Sequence, residues 1–299
     1  MMATNKTDEK IFTGLTKGSG ILILLILAGV AIFLIAQAFP AFITPADKMP
    51  NQVGFWHYVM PLVAGTLMAS AIALLIATPI AIGIALFISH YAPAKLAKPL
   101  SYVVDLLAAI PSVIYGLWGW MILAPKMSPI FEFLSSKLGF IPIFAGPPSA
   151  TGRTLLTAGI VLAVMILPII TSMTREVFVQ APKLQEEAAL ALGATKWEMI
   201  RMAVFPYAKS GMIGGIMLGL GRALGETMAV AMVLSPGEFV SSLIKSGNNT
   251  IASEIALNFP EASGIRMNEL VAAGLVLFVI TLLVNMLARW IVAKGAIKA

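Results

Sequence analysis

Residues 182–228 read PKLQEEAALALGATKWEMIRMAVFPYAKSGMIGGIMLGLGRALGETM. The first half is polar and helix-forming, with a break at Gly193. The second half is apolar and glycine-rich, and carries Arg222 and Glu226 four residues apart. One half looks built to touch another protein, and the other places opposite charges inside an apolar run. The rest of the chain says what that run lies in. Its 299 residues are 59% hydrophobic and only 11% charged, with mean hydropathy +0.93, whereas soluble domains carry roughly a quarter charged residues. The chain is an integral membrane protein, and soluble function classes are excluded. Its net charge of +6 fits basic cytoplasmic loops better than nucleic acid. The absence of cysteine excludes disulfides and thiolate metal sites. His57 and His90 are too far apart in the sequence to form a local ligand motif, so neither metal nor cofactor is expected.

Six apolar runs can be laid out, over residues 18–42, 58–89, 100–124, 154–179, 211–234 and 270–292. Each can cross about 30 Å of hydrocarbon. Ala36-Gln37-Ala38 resembles a signal-peptidase site, but the apolar run before it exceeds the usual h-region of about 7–15 residues. The first helix is therefore expected to be retained. Pro61 and Pro79 should tilt or kink the second run. Pro111 reads as a kink inside the third, its lost hydrogen bond restored by Ser112 or a neighbouring helix. PIFEFLSSKLGF, residues 129–140, reads as a short interfacial helix in a loop. Asp105, near the end of the third run, could reach Lys98 or a free backbone group, and Arg153 reads as an interfacial anchor. Ser235-Pro236-Gly237 stops the fifth run. The following segment, with Glu238, Glu254, Glu261 and Glu269, reads as a solvated outer loop, and Asn248-Asn249-Thr250 matches a glycosylation sequon. The natural division is 1–57 (tail, first helix and outer loop) and 58–299 (a five-helix core holding the loop 180–209).

With six spans both termini lie on one side. Lys6, Lys10, Lys17, Lys95, Lys98, Arg175, Lys183, Lys196, Arg201, Lys209, Arg289, Lys294 and Lys298 share that side. Only Lys48, Lys126, Lys137, Arg153, Lys245 and Arg266 fall on the other. The richer side is expected to be cytoplasmic, which places both termini and the loop 180–209 there.

Within that loop Pro182 suits a first helical turn, and Gln185, Glu186 and Glu187 sit near its positive end. Leu184, Ala188, Ala191 and Leu192 fall on one face. Gly193 permits a sharp turn, a second short helix follows over residues 195–204, and Pro206 separates it from the next span. Such an elbow either packs on its own bundle or docks into a partner's groove. In the span beyond, Gly211, Gly215, Gly219, Arg222, Glu226 and Ala229 step by four, four, three, four and three, and so share a helix face. A charge at mid-membrane costs roughly 2.5–3.5 kcal/mol on insertion scales. Arg222 and Glu226 should therefore pair, or face a polar path through the bundle. An arginine fork matches a tetrahedral oxyanion, while Glu226 could hold Arg222 until a solute displaces it. The residues alone lead to a path for an anion or polar solute.

Glu187-Ala188-Ala189, then Gly193, then Ala203-Val204-Phe205-Pro206 resembles the EAA loop of ABC-importer permeases. That pattern ends in Ile-x-Leu-Pro, so Ala203 and Phe205 depart from it while staying apolar. GRALGETMAV at 221–230 and IPSVIYGLWG at 110–119 resemble fifth-span and third-span motifs of the phosphate-specific permeases in that class. EKIFTGLTKGSGILILLILAG at 9–29 is similar to the first span of their PstC-type subunits rather than the PstA-type. The resemblance covers nearly the whole chain. It implies an all-α, six-span MetI-like permease fold with an extra N-terminal helix, in the cell membrane. It also implies a PstA-type second permease subunit, two PstB-type ATPase subunits that hydrolyse ATP, an external PstS-type phosphate-binding protein, and inorganic phosphate as solute. On the same ground Arg222, Glu226 and Thr227, with Ser112 and Tyr115, would line the substrate path. Glu187, Ala188, Ala189, Gly193, Ala194 and Pro206 would couple to the ATPase. The chain itself would not be an enzyme. A permease for another oxyanion or small nutrient, a membrane-embedded hydrolase and a passive channel are the competing readings.

Overall fold

In hydrocarbon a backbone must satisfy its own hydrogen bonds, so long apolar runs become helices. No strand occurs among the described residues. The computed structural model describes residues 6–50, 52–237 and 240–296, with side chains from residue 12 to residue 290 within those stretches. Glu238 and Lys298 lie outside the described residues, and Lys6, Lys10 and Lys294 outside the described side chains. The order is α1 (Lys6–Ile43), α2 (Phe55–Leu86) prolonged by a π turn (Phe87–Tyr91), α3 (Ala94–Ala108) and α4 (Ser112–Trp118). Through a second π turn (Gly119–Leu123) α4 continues into α5 (Ala124–Leu138). Next come α6 (Leu155–Val179), α7 (Lys183–Ala191) and α8 (Lys196–Met199), which enters α9 (Phe205–Gly225) through a third π turn (Ile200–Val204). α10 (Met228–Val233), α11 (Ile251–Asn258) and α12 (Ile265–Ala296) complete the chain.

Five of these rods are long and apolar enough to cross a membrane, and a pair bent by 88° brings the number to six when it is counted as one broken span. The expected count of six therefore holds. The third crossing, however, is not the straight run 100–124. Pro111 caps the start of α4 in extended conformation (φ −56°, ψ 136°). A proline there loses no helical hydrogen bond, so it ends one helix and starts another rather than kinking one. PIFEFLSSKLGF is likewise not a separate interfacial helix: its first ten residues, 129–138, form the end of α5.

The centre is α2 against α6, and α6 against α9. Gly65, Ala69, Ala73, Ala77, Ala81 and Ala85 recur every fourth residue along α2, and all six are buried. On a helix that spacing makes a continuous stripe, and small side chains let another backbone come close. A Cβ on Gly159 of α6 would lie 2.8 Å from Cβ of Ile72. A Cβ on Gly65 would overlap the carbonyl of Asn249. α1 is mostly exposed and docks by its last turns. Ala38 and Ala41 are fully buried in a cluster with Met49, Phe55 and Ala272, so Ala36-Gln37-Ala38 lies within a packed helix.

The segment after α10 departs most from expectation. It is folded back into the bundle rather than solvated. Ile244, Ile251 and Ser253 have no exposure, and Asn248, Asn249 and Thr250 have 5% or less. The Asn248 side chain donates to the carbonyl of Val240 and accepts from its N–H. That occupied, buried amide is unsuited to carrying a glycan.

Candidate functional site

Two helix breaks meet at the heart of the bundle. One is the corner between α3 and α4, bridged by the Tyr115 hydroxyl donating to the carbonyl of Leu107 at 2.8 Å. The other falls within the fifth apolar run. α9 ends at Gly225, Glu226 is extended (φ −69°, ψ 126°), and α10 begins at Met228. The halves on either side of the breaks are pressed together. A Cβ on Gly116 of α4 would lie 2.8 Å from Cα of Ala229, and one on Gly119 would lie 2.9 Å from Cγ2 of Val233. Broken helices at membrane depth are tolerated where their backbone is buried in protein or lines a cavity.

The break separates the charges that sequence spacing had paired. Glu226 is buried at 8% exposure, and its Oε1 accepts from the backbone N–H of Ala229 at 3.1 Å. It caps α10 and makes no ion pair with Arg222. The expected common face divides as well. Gly211, Gly215 and Gly219 pack against Val177, Met173 and Ile170 of α6. Arg222 instead lines a groove of about 1050 Å³ between α6, α9 and α12. It makes no hydrogen bond or ion pair among the described residues. Thr227 holds the break by donating to the carbonyl of Gly225 at 3.3 Å. Ser112 is half-buried in the first turn of α4. Tyr115 is buried in the α2–α6–α10 core, where it spans the corner instead of lining the groove.

At one end of the bundle lies the elbow. Gly193 has φ +85°, a left-handed turn that favours glycine. Thr195 and Glu198 close a capping box at the start of α8. Leu184 is 79% exposed and Leu192 90%, and Glu187, Ala188 and Ala191 are exposed beside them. The face that could have packed on its own bundle is thus unpartnered. Ala189 and Ala194 are half-buried, and Ala189 packs on the Phe178–Ile200 cluster. Pro206 does not separate α8 from the span. It follows the π turn directly, and residues 196–225 form one continuous rod. His90 ties this region to α2, with Nε2 3.7 Å from Oε1 of Glu186.

Local patterning missed the polar network at the opposite end. Arg266 bonds Glu269 at 2.5 Å and Glu254 at 2.8 Å, with its guanidinium 5.0 Å from the centre of the Tyr58 ring. Glu254 also accepts from Tyr58 at 3.1 Å and from Asn249 at 2.6 Å. Glu269 has no exposure, and its Oε1 has no hydrogen-bond partner among the described residues. Of the acids expected in solvent, Glu254 and Glu269 are therefore held inside the fold by Arg266, while Glu261 is exposed. Asp105 accepts from Ser172 at 2.7 Å and lies 3.5 Å from Arg175 on α6, in place of Lys98. Arg153 is no interfacial anchor: it donates to the carbonyl of Leu234 just beyond α10. The only sequence signal for these pairings was the presence of charges near apolar runs.

A membrane bundle with a polar break at its centre and an exposed helical elbow at one end is the architecture of a transport permease subunit. The chain belongs to the family described as binding-protein-dependent transport system inner membrane component, whose sequence model matches residues 77–294. It is 45% identical to the phosphate transport system permease protein PstC 2 of Mycobacterium tuberculosis, over 96% of this chain and 93% of that protein. It is 42% identical to the phosphate transport system permease protein PstC of Mesorhizobium japonicum, over 96% and 90%. A bacterial ABC transporter involved in import of the acidic polysaccharide alginate shares the fold, with a TM-score of 0.57 at 21% identity over 96% of both chains. The inward-facing MetNI methionine ABC transporter does so at TM-score 0.56 and 18% identity, over 80% of this chain and 98% of that one. The expected all-α ABC-importer permease fold is thereby established, and the chain is a multi-pass component of such an importer.

Proposed function

We propose that this chain is the PstC-type permease subunit of an ATP-driven phosphate importer, with Arg222 as the anion contact on its path. Arg222 carries the reading. It is permanently charged, lies in an apolar span, has no counter-ion among the described residues, and faces a groove with no acidic lining residue. An unpaired arginine at that depth needs water or a passing anion. The similarity to phosphate permeases over nearly the whole chain supports phosphate as that anion. Glu226, held on α10, fixes the turn next to the arginine; Thr227, Ser112 and Tyr115 position the broken helices around it.

A PstA-type subunit would complete the path, with residues 58–299 as the core of this half. Glu187, Ala188, Gly193 and the exposed leucines would seat in a cleft of a PstB-type ATPase, which hydrolyses the ATP. Ala189, Ala194 and Pro206 would anchor the elbow to the rod α8–α9. Loaded PstS-type binding protein would dock at the opposite end, and both termini would be cytoplasmic by the basic-residue excess. Arg222→Ala is expected to abolish uptake of labelled phosphate by the reconstituted complex while assembly persists. Normal uptake by a well-assembled variant would remove Arg222 from the path. Competition by sulfate or molybdate equal to that by phosphate would overturn the solute.

A further inference from the structure

The groove that holds Arg222 holds a second arginine. Along α9 its wall runs from Ser210 to Arg222, about 18 Å at 1.5 Å per residue. α12 closes the other side with Asn285, Ala288 and Arg289. Arg289 is exposed and, like Arg222, makes no hydrogen bond or ion pair among the described residues. Most of the remaining lining is apolar: Ile169, Ile213, Met217 and Leu218. Two unneutralised guanidinium groups facing one low-dielectric cleft focus a positive potential inside it. An anion leaving Arg222 would otherwise travel beside hydrocarbon toward the elbow end. A second cation at the mouth lowers the energy along that route and lets the first contact release, as multi-site conduction requires.

We propose that Arg289, with the Asn285 amide beside it, is a second oxyanion contact at the mouth of the α6–α9–α12 groove, receiving the phosphate group after Arg222. The proposal rests on the phosphate-permease reading and adds a second station to it. The same chemistry would also hold the headgroup of an anionic lipid, whose phosphate charge no cation of its own offsets, so the test separates the two sources.

The complete importer, with its partner permease, ATPase and binding protein, is reconstituted in vesicles carrying wild-type chain, Arg289→Gln or Arg289→Lys. Initial uptake of labelled phosphate is measured against loaded binding protein. Arg289→Gln is expected to lower the maximal rate about ten-fold, the scale of one lost charged hydrogen bond. The half-saturating binding-protein concentration and subunit stoichiometry are expected to stay unchanged. Arg289→Lys, which keeps the charge at a wet mouth, is expected to recover at least half of the rate. A wild-type rate in Arg289→Gln overturns the second contact. Loss of assembly in both variants makes Arg289 a structural anchor and also overturns it. A defect present in vesicles with anionic lipid but absent in wholly zwitterionic vesicles assigns the contact to a lipid headgroup and overturns the transported anion as occupant. Absence of uptake by the wild-type complex would instead strike the phosphate-permease reading itself.

Discussion

Replacing Arg266 by methionine should destabilise the fold more than replacing Arg266 and Glu269 together. Glu269 is wholly buried, and among the described residues its Oε1 has no hydrogen-bond partner and its Oε2 is held by Arg266 alone. Arg266→Met therefore strands a buried carboxylate, at a cost of about 3–5 kcal/mol. Glu254 is less exposed to the loss, since Tyr58 and Asn249 still donate to it. Glu269→Leu takes one charged hydrogen bond from Arg266, about 1.5–3 kcal/mol, but leaves the bond to Glu254 and removes the bare Oε1. In the double variant no carboxylate is stranded at position 269, and apolar groups of similar bulk fill the site, a change often near neutral. The two substitutions should thus be non-additive, in the stabilising direction, by more than the roughly 1.5–3 kcal/mol that Glu269→Leu costs alone. Unfolding of the purified chain by sodium dodecyl sulfate in mixed micelles, followed by tryptophan fluorescence, measures all four members of the cycle. A double variant as unstable as the sum of the single ones would refute the reasoning, because the two charges would then act independently.

Gly116→Ala should force α4 from α10, since the added carbon would sit 2.8 Å from Cα of Ala229 and 3.0 Å from Sδ of Met232. Overpacking of that kind costs about 1–3 kcal/mol, so thermal unfolding should occur earlier and phosphate uptake should fall with it; unchanged values of both would deny the close crossing. Leu192→Asp, at a position 90% exposed, should leave the chain's own melting unchanged while preventing co-purification of the ATPase. Retained ATPase would show that the apolar face is not the seat. Gly193→Ala meets no atom within 4 Å, so its penalty of about 1–2 kcal/mol comes from the left-handed backbone alone; replacement by D-alanine through semisynthesis should restore stability.

The sequence was most informative where the physics is local. Hydrocarbon thickness made the spans legible as runs of apolar residues, and Gly193 was legible as a turn because few other residues accept positive φ. The exposed face of Leu184, Ala188, Ala191 and Leu192 followed from helical spacing. Its unpartnered state did not, because that depends on what else the bundle covers. Prolines misled in both directions. Pro111 reads as a kink inside a span and is a boundary; Pro206 reads as a boundary and lies within a continuous rod. Pro111 occupies a helix start, where a missing N–H costs nothing, whereas Pro206 follows a π turn that carries the helix through, and only the neighbouring turns decide whether the chain bends. The Arg222–Glu226 pair failed because spacing assumes unbroken helix, and the helix stops at Gly225. The acidic outer segment failed for the opposite reason. Its partners, the donors Tyr58 and Asn249 for Glu254 and the cation Arg266 for both Glu254 and Glu269, come together through tertiary folding, which no local window captures.

The wide turn at Ile200–Val204 bears on how the push proposed for the elbow would reach the centre of the membrane. A π turn holds one residue more than the α-helix around it. In an α-helix each residue accounts for about 100° of rotation and 1.5 Å of rise. The surplus residue therefore sets the azimuth of α9 relative to α8 and the elbow. Were that turn to tighten by one residue, everything on α9 would swing by about 100° about its own axis. Arg222 would leave the groove for a neighbouring face with little change in depth. The rod between elbow and arginine thus has the geometry of a crank as well as a piston, with torque a natural companion to thrust.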